Sequence, residues 1–87
     1  MNKFYTYILY SDTIDKHYIG FTSDVEKRLR YHNAGISRWT KRGAPWKTVY
    51  VTLFNTKREA IMHEIFLKKL KNRTALKSLI RENDIIV

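Results

Sequence analysis

Two tyrosines with ten residues between them, Tyr7 and Tyr18, are followed by Arg28 eight residues after Gly20, by His32 four residues later, and by Glu64 in a strongly basic half of the chain. Hydrolysis of a phosphodiester needs an oriented and deprotonated water, a cation on the charge that builds at the phosphoryl oxygens, and neutralisation of the departing 3′ oxygen. These side chains cover all three needs. Arg28 offers a planar, permanently charged fork to a phosphate. Glu64 is a hard oxygen ligand suited to Mg²⁺ or Mn²⁺, and one carboxylate with waters and a substrate phosphate is a normal way to hold Mg²⁺, so a single-metal site is expected. Tyr7 and Tyr18 can orient or deprotonate the water, although a phenol with a pKa near 10 is a poor base until a neighbouring cation lowers it. His32 can relay a proton from the helix face it shares with Arg28. The residue types leave the choice of base among Tyr7, Tyr18 and His32 open.

Each of these residues also has a plainer use. Tyr5, Tyr7 and Tyr10 on one strand suit cross-strand packing. His32 suits the negative end of a helix dipole. His63, beside Glu64, invites a metal pair, but adjacent helical positions diverge, and packing or surface is the expected place for it. Glu64 can pair with Lys68 one turn on, a contact worth only about 0.2–0.5 kcal/mol. Against that, residues 38–81 hold twelve basic side chains and only Glu59 and Glu64 as acids, and Glu64 stands among Ala60, Ile61 and Leu67. An acid placed there asks for a cation. Glu59 is accounted for by a helix cap, and Asp12, Asp15 and Asp24 by turns or a helix start.

The elements that must position these groups follow from pattern. The run FYTYILY, Phe4 to Tyr10, is aromatic and β-branched and reads as a central strand. Ser11 to Lys16 is turn-like and Tyr18 to Phe21 a second strand, giving an antiparallel hairpin, with Gly20 placed where a side chain would obstruct close approach. Ser23-Asp24-Val25-Glu26 reads as a capping box with Ser23 as cap, opening a helix to about Asn33 with a stop at Gly35. Val25 and Leu29 give that helix an inner stripe. Ile36 to Lys47 has neither period and is expected to be a loop. Val49 to Phe54 is a third strand, and Thr56 to Glu59 caps a second helix running to about Lys71, with Ala60, Ile61, Ile65, Leu67 and Leu70 as its stripe. Asn72 can cap a third, with Ala75, Leu76, Leu79 and Ile80 inward. The apolar tail from residue 84 to 87 docks on the core or meets another copy. This order predicts one domain over residues 1–87, of α+β class, with a three-stranded, mainly antiparallel sheet covered by three helices.

The 87 residues suffice for one small core. Without cysteine there are no disulfides or thiolate metal sites, and without a leader or a spanning apolar run the expected place is the cytoplasm, away from membranes. A net charge of +9 favours a polyanion, with nucleic acid first, because each phosphate contact releases counterions. The excess is regional: residues 1–37 hold five basic and four acidic side chains. Arg38, Lys41, Arg42 and Lys47 interleave with Trp39 and Trp46 in a loop suited to following a backbone and stacking on an unpaired base; alternatively, the tryptophans anchor the loop. Lys68, Lys69 and Lys71 extend the phosphate-contacting surface.

Tyr18-Ile19-Gly20, preceded by Tyr5-Thr6-Tyr7 and followed by Arg28, His32 and Glu64 at these spacings, resembles the catalytic core of the GIY-YIG nuclease family over nearly the whole chain. The first tripeptide departs from Gly-Ile-Tyr but keeps the tyrosine. The resemblance implies the family's α+β fold, a metal-dependent endonuclease on DNA rather than RNA, and a role in DNA repair or processing. It implies low sequence specificity where no recognition domain is attached. A late asparagine near the site is also implied, with Asn83 the candidate by spacing and Asn72 the alternative. A non-catalytic nucleic-acid-binding module on the same fold is the competing expectation. Oligomeric state is not legible.

Overall fold

A computed structural model describes residues 3–70 and 73–86, the last four of these as backbone only. Lys71, Asn72 and Val87 therefore lie outside the described residues, as do the side chain of Asn83 and those of the tail.

The elements run β1 (Phe4–Ser11), β2 (Lys16–Thr22), α1 (Val25–Asn33), a short 3-10 turn (Lys41–Gly43), β3 (Trp46–Phe54), α2 (Lys57–Lys69) and α3 (Arg73–Ile86). The expected α+β architecture is present. The sheet has the order β2-β1-β3 with both pairings antiparallel, so β1 is central. Tyr7 stands opposite Gly20 on one side and Val51 on the other, and the register against β3 shifts between Ile8 and Leu9. The hairpin is tighter than its polar residues suggest, because β1 reaches Ser11 and β2 starts at Lys16. Its turn is closed by the Tyr10 hydroxyl on Asp15 Oδ1 at 2.6 Å and by Ile14 N on Ser11 Oγ at 3.3 Å, with Asp15 in a left-handed conformation.

Alternation along β1 divides the core into two layers. Ile8, with Tyr50, Leu67 and Leu76, forms one, completed by Ile19, Val49, Leu70, Leu79 and Ile80. Tyr7 and Leu9, with Trp46, form the other, against Tyr18, Leu29, Ala44 and Val51. Thus α2 and α3 cover one face of the sheet, while α1 and the loop before β3 cover the other.

Three local expectations are corrected. The cap of α1 is Asp24, whose Oδ1 accepts from Lys27 N at 3.0 Å, because a carboxylate at that position reaches the third amide and Ser23 stands one residue too early. On α2, Ile65 is exposed beside Met62 and Phe66, because Ala60 and Leu67 set the angle of the buried face. The third strand begins at Trp46, inside the stretch expected to be loop. Thr56 caps α2 as its pattern indicates, accepting from Glu59 N at 3.2 Å and donating to the Glu59 carboxylate at 2.9 Å. No helix among the described residues is long and apolar enough to cross a membrane.

Candidate active site

Tyr7 lies at the centre of β1 and is only 1% exposed. Its phenol passes directly over Gly20, where an added Cβ would fall 2.7 Å from Tyr7 Oη and 2.9 Å from Cζ. Glycine is the residue that leaves that space. Tyr18, half-buried on β2, has its ring centroid 6.3 Å from that of Tyr7 and 4.7 Å from that of His32. Helix α1 brings His32 beneath both rings and carries Arg28 one turn earlier.

His32 is fully buried, so of the three candidate bases only Tyr18 has surface from which to meet a substrate. Its two ring nitrogens are both engaged, Nδ1 with Thr40 Oγ1 at 2.7 Å and Nε2 with Tyr7 Oη at 3.3 Å. Thr40 is itself buried, and its carbonyl accepts from the Trp46 indole at 2.7 Å. Burial lowers the His32 pKa, and the charge of Arg28 lowers it further, so the imidazole is neutral at pH 7. The phenol of Tyr7 is pushed up to about 12, chiefly by burial; a hydrogen bond from Arg28 opposes this, while Tyr18 and Glu64 add to it. A phenol so perturbed stays protonated at neutral pH.

The guanidinium of Arg28 stacks on the Tyr31 ring, 4.6 Å from its centroid, and its Nε is buried without a hydrogen-bond partner. An orphan charged donor costs about 1–3 kcal/mol or more, and an anionic ligand would relieve it. Glu64, on the middle of α2, has a side chain 15% exposed and accepts from Lys68 Nζ at 2.7 Å. Among the described residues no three His, Asp or Glu side chains gather as a metal cage. The donor set is therefore one accessible carboxylate, which fits a hard divalent ion completed by waters and phosphate oxygens.

The basic loop divides. Arg38, Trp39, Lys41 and Arg42 line one surface depression, and Trp39 is 88% exposed. Trp46 is the anchor, with its backbone bracketed by the Asn33 side chain at 2.5 and 3.1 Å. Lys47 pairs instead with Asp12 at 3.4 Å and lies over the Tyr10 ring. Lys68 is engaged by Glu64, and Lys69 is exposed at the end of α2. His63 is a packing residue: its Nε2 meets the Tyr50 hydroxyl at 2.8 Å, and its ring stacks with those of Tyr50 and Phe66. Thr40 and Asn33 are the partners that sequence reasoning missed. Both make contacts across the fold, and nothing periodic marks them.

The antiparallel β2-β1-β3 sheet with its three helices is the α+β fold that the resemblance to GIY-YIG domains implies. The chain belongs to that family of nuclease domains: the family model described as the GIY-YIG catalytic domain matches residues 3–77. It is similar to UPF0213 proteins of Bacillus licheniformis, 40% identical over 73 residues covering 83% of this chain and 74% of the relative, and of Clostridium perfringens, 39% over 72 residues covering 76% and 77%. Among solved structures, the solution NMR structure of a UPF0213 protein from Bacillus halodurans matches with a TM-score of 0.57 and 28% identity, covering 93% of this chain and 86% of that one.

Proposed function

We propose that this chain is a metal-dependent endonuclease that hydrolyses DNA phosphodiester bonds with low sequence specificity, in DNA repair or processing in the cytoplasm. The observation that carries the reading is the orphaned Arg28 Nε beside the tyrosine pair, with Glu64 close enough for its charge to act on Tyr7. Arg28 binds the scissile phosphate and takes up the charge that grows on its oxygens. Tyr18, the reachable phenol, orients the attacking water and takes its proton as its own hydroxyl proton passes to solvent. Tyr7 and His32 stand behind it as a neutral hydrogen-bonded pair that fixes the ring. Glu64 would hold one Mg²⁺ or Mn²⁺, which when bound supplies positive charge at the departing 3′ oxygen. Arg38, Lys41 and Arg42 follow phosphates, which gives affinity without base readout.

The test is cleavage of supercoiled plasmid and of a labelled branched DNA with Mg²⁺, Mn²⁺ or EDTA, for wild type and Glu64→Gln in parallel. Cutting should require the metal and fall at least about 100-fold in the variant. Cutting that survives Glu64→Gln would remove Glu64 from the reaction. Salt-sensitive DNA binding by both proteins without cutting would leave a binding module.

A further inference from the structure

The loop between α1 and β3 holds two tryptophans that the fold treats in opposite ways. Trp46 is buried, and the residues around it are tied down: Lys41 N donates to Ser37 O at 3.0 Å and Gly43 N to Thr40 O at 3.1 Å. The Ser11 hydroxyl donates to Gly43 O at 2.6 Å, and the Thr40 side chain is held by His32 at 2.7 Å. On this fixed frame Trp39 stands 88% exposed. An indole presented to water on a backbone that cannot fold over it leaves a large apolar area uncovered, which normally marks a contact surface.

Three neighbours, Arg38, Lys41 and Arg42, share its depression and are all cationic. A flat π-face ringed by phosphate-binding charge suits a nucleobase with a phosphate on either side. The bases of a duplex are already stacked on one another and offer only their edges, so the base must be unpaired. Thr40, next in sequence to Trp39, is one hydrogen bond from His32 and two from Tyr7, so the platform has a fixed register relative to the tyrosine pair.

We propose that Trp39 is a stacking platform for an unpaired base of the substrate strand, with Arg38, Lys41 and Arg42 on the flanking phosphates, which makes single-stranded segments the preferred substrate. The inference rests on the nucleic-acid reading given above and adds the form of the strand. Because the platform is preassembled, binding it orders little besides the nucleotide itself, which favours affinity.

The experiment titrates wild type, Trp39→Phe and Trp39→Ala with a thymidine 20-mer and with a duplex of the same length, in EDTA and at one fixed salt concentration. Binding is read by anisotropy of the labelled DNA and by tryptophan emission. Trp39→Ala should weaken single-strand binding about 5- to 100-fold and duplex binding less than twofold, with Trp39→Phe between wild type and Trp39→Ala. Emission quenched by the single strand in wild type should be absent in Trp39→Phe, where Trp46 alone remains. A uridine 20-mer should show the same loss, because stacking does not read the sugar. Equal weakening of single strand and duplex, or no weakening of either, overturns the platform. Reading binding in EDTA keeps this result apart from cleavage. A chain that stacks bases and never cuts would defeat the nuclease reading alone, and one that cuts while Trp39→Ala binds like wild type would defeat the platform alone.

Discussion

The two faces of β1 are built from alternate residues of one strand, and they hold different kinds of core. On the face toward α2 and α3, Ile8 packs among Leu67, Leu76 and the Tyr50 ring, and the polar group Thr6 is spent on Ala60 O at 2.7 Å. On the face toward α1, Tyr7 is met by His32, Arg28 and Tyr18. Each face has a histidine whose pKa is lowered, fully buried His32 on one and half-buried His63 on the other, yet only desolvation acts on His63, whereas the Arg28 charge also acts on His32. Burial alone makes a histidine neutral. What separates the candidate site from the ordinary core is the charge from Arg28 and Glu64 that reaches into it.

The sharpest break of that comparison is to remove one side chain from each face. Tyr7→Phe keeps the ring but leaves His32 Nε2 without its partner, so it should cost about 1–3 kcal/mol of stability and, because the hydroxyl acts only by fixing Tyr18, lower the nuclease kcat of the folded fraction by up to about 100-fold. Ile8→Ala should cost about 2–5 kcal/mol of stability, while the folded fraction keeps its activity per molecule. Urea unfolding and single-turnover cleavage on both variants check this. If Tyr7→Phe cuts normally, the two faces differ in composition only.

A smaller effect tests the electrostatic side. The Tyr7 pKa is raised from 10.0 to about 12 in the fold. Unfolded chains lose this proton near pH 10, so its contribution is full below pH 10 and is lost as pH rises through 12. At 1.36 kcal/mol per pKa unit, roughly 2–3 kcal/mol should disappear over that window. The loss is measured as the wild-type minus Tyr7→Phe difference in urea midpoint at pH 9 and pH 12, and Ile8→Ala should retain it. An identical alkaline decline in wild type and Tyr7→Phe would mean that burial does not hold this phenol neutral.

Much of this arrangement was legible from local pattern, because period and spacing report what one element does for itself. The Tyr7 and Gly20 positions follow from two short strands, and the Arg28 to His32 spacing follows from one helix turn. Trp46 was not legible in the same way. Its place in β3 is fixed by the Asn33 bracket and by Thr40, both outside the strand, and a mixed run such as Ile36 to Lys47 gives no hint of either. Nor does sequence choose between Ser23 and Asp24 as caps, since both can accept a hydrogen bond and one residue of phase decides. The outward turn of Ile65 is of the same kind: which apolar positions of α2 face inward depends on how the helix lies on the sheet.

Thr40 offers the next test, now within the site face. Thr40→Val keeps the shape but leaves His32 Nδ1 buried without its partner, at a cost of about 1–3 kcal/mol. Thr40→Ser keeps the hydroxyl and should recover most of that stability. Since Thr40 positions His32 and lies away from the reacting groups, kcat should fall in Thr40→Val with little change in KM, and its pH profile should shift. A stability loss with an unmoved pH profile would make Thr40 a packing residue, and the Tyr7–His32 pair would not depend on the loop.

Lys68 gives the smallest effect and bears on the edge of the site. Its ammonium sits 2.7 Å from Glu64, where a divalent ion would also bind, so the two cations compete for one carboxylate. The lysine side chain is 56% exposed, and an exposed pair one helix turn apart is worth about 0.3–0.5 kcal/mol, so the competition should be weak. Lys68→Met should therefore lower the Mg²⁺ concentration for half-maximal cleavage by only about twofold, measured at saturating DNA so that a lost phosphate contact does not enter. A rise in that concentration would show that Lys68 helps to hold Glu64 in its binding position. The lysine would then belong to the site, and the charged surroundings of Tyr7 would extend one helical turn further along α2.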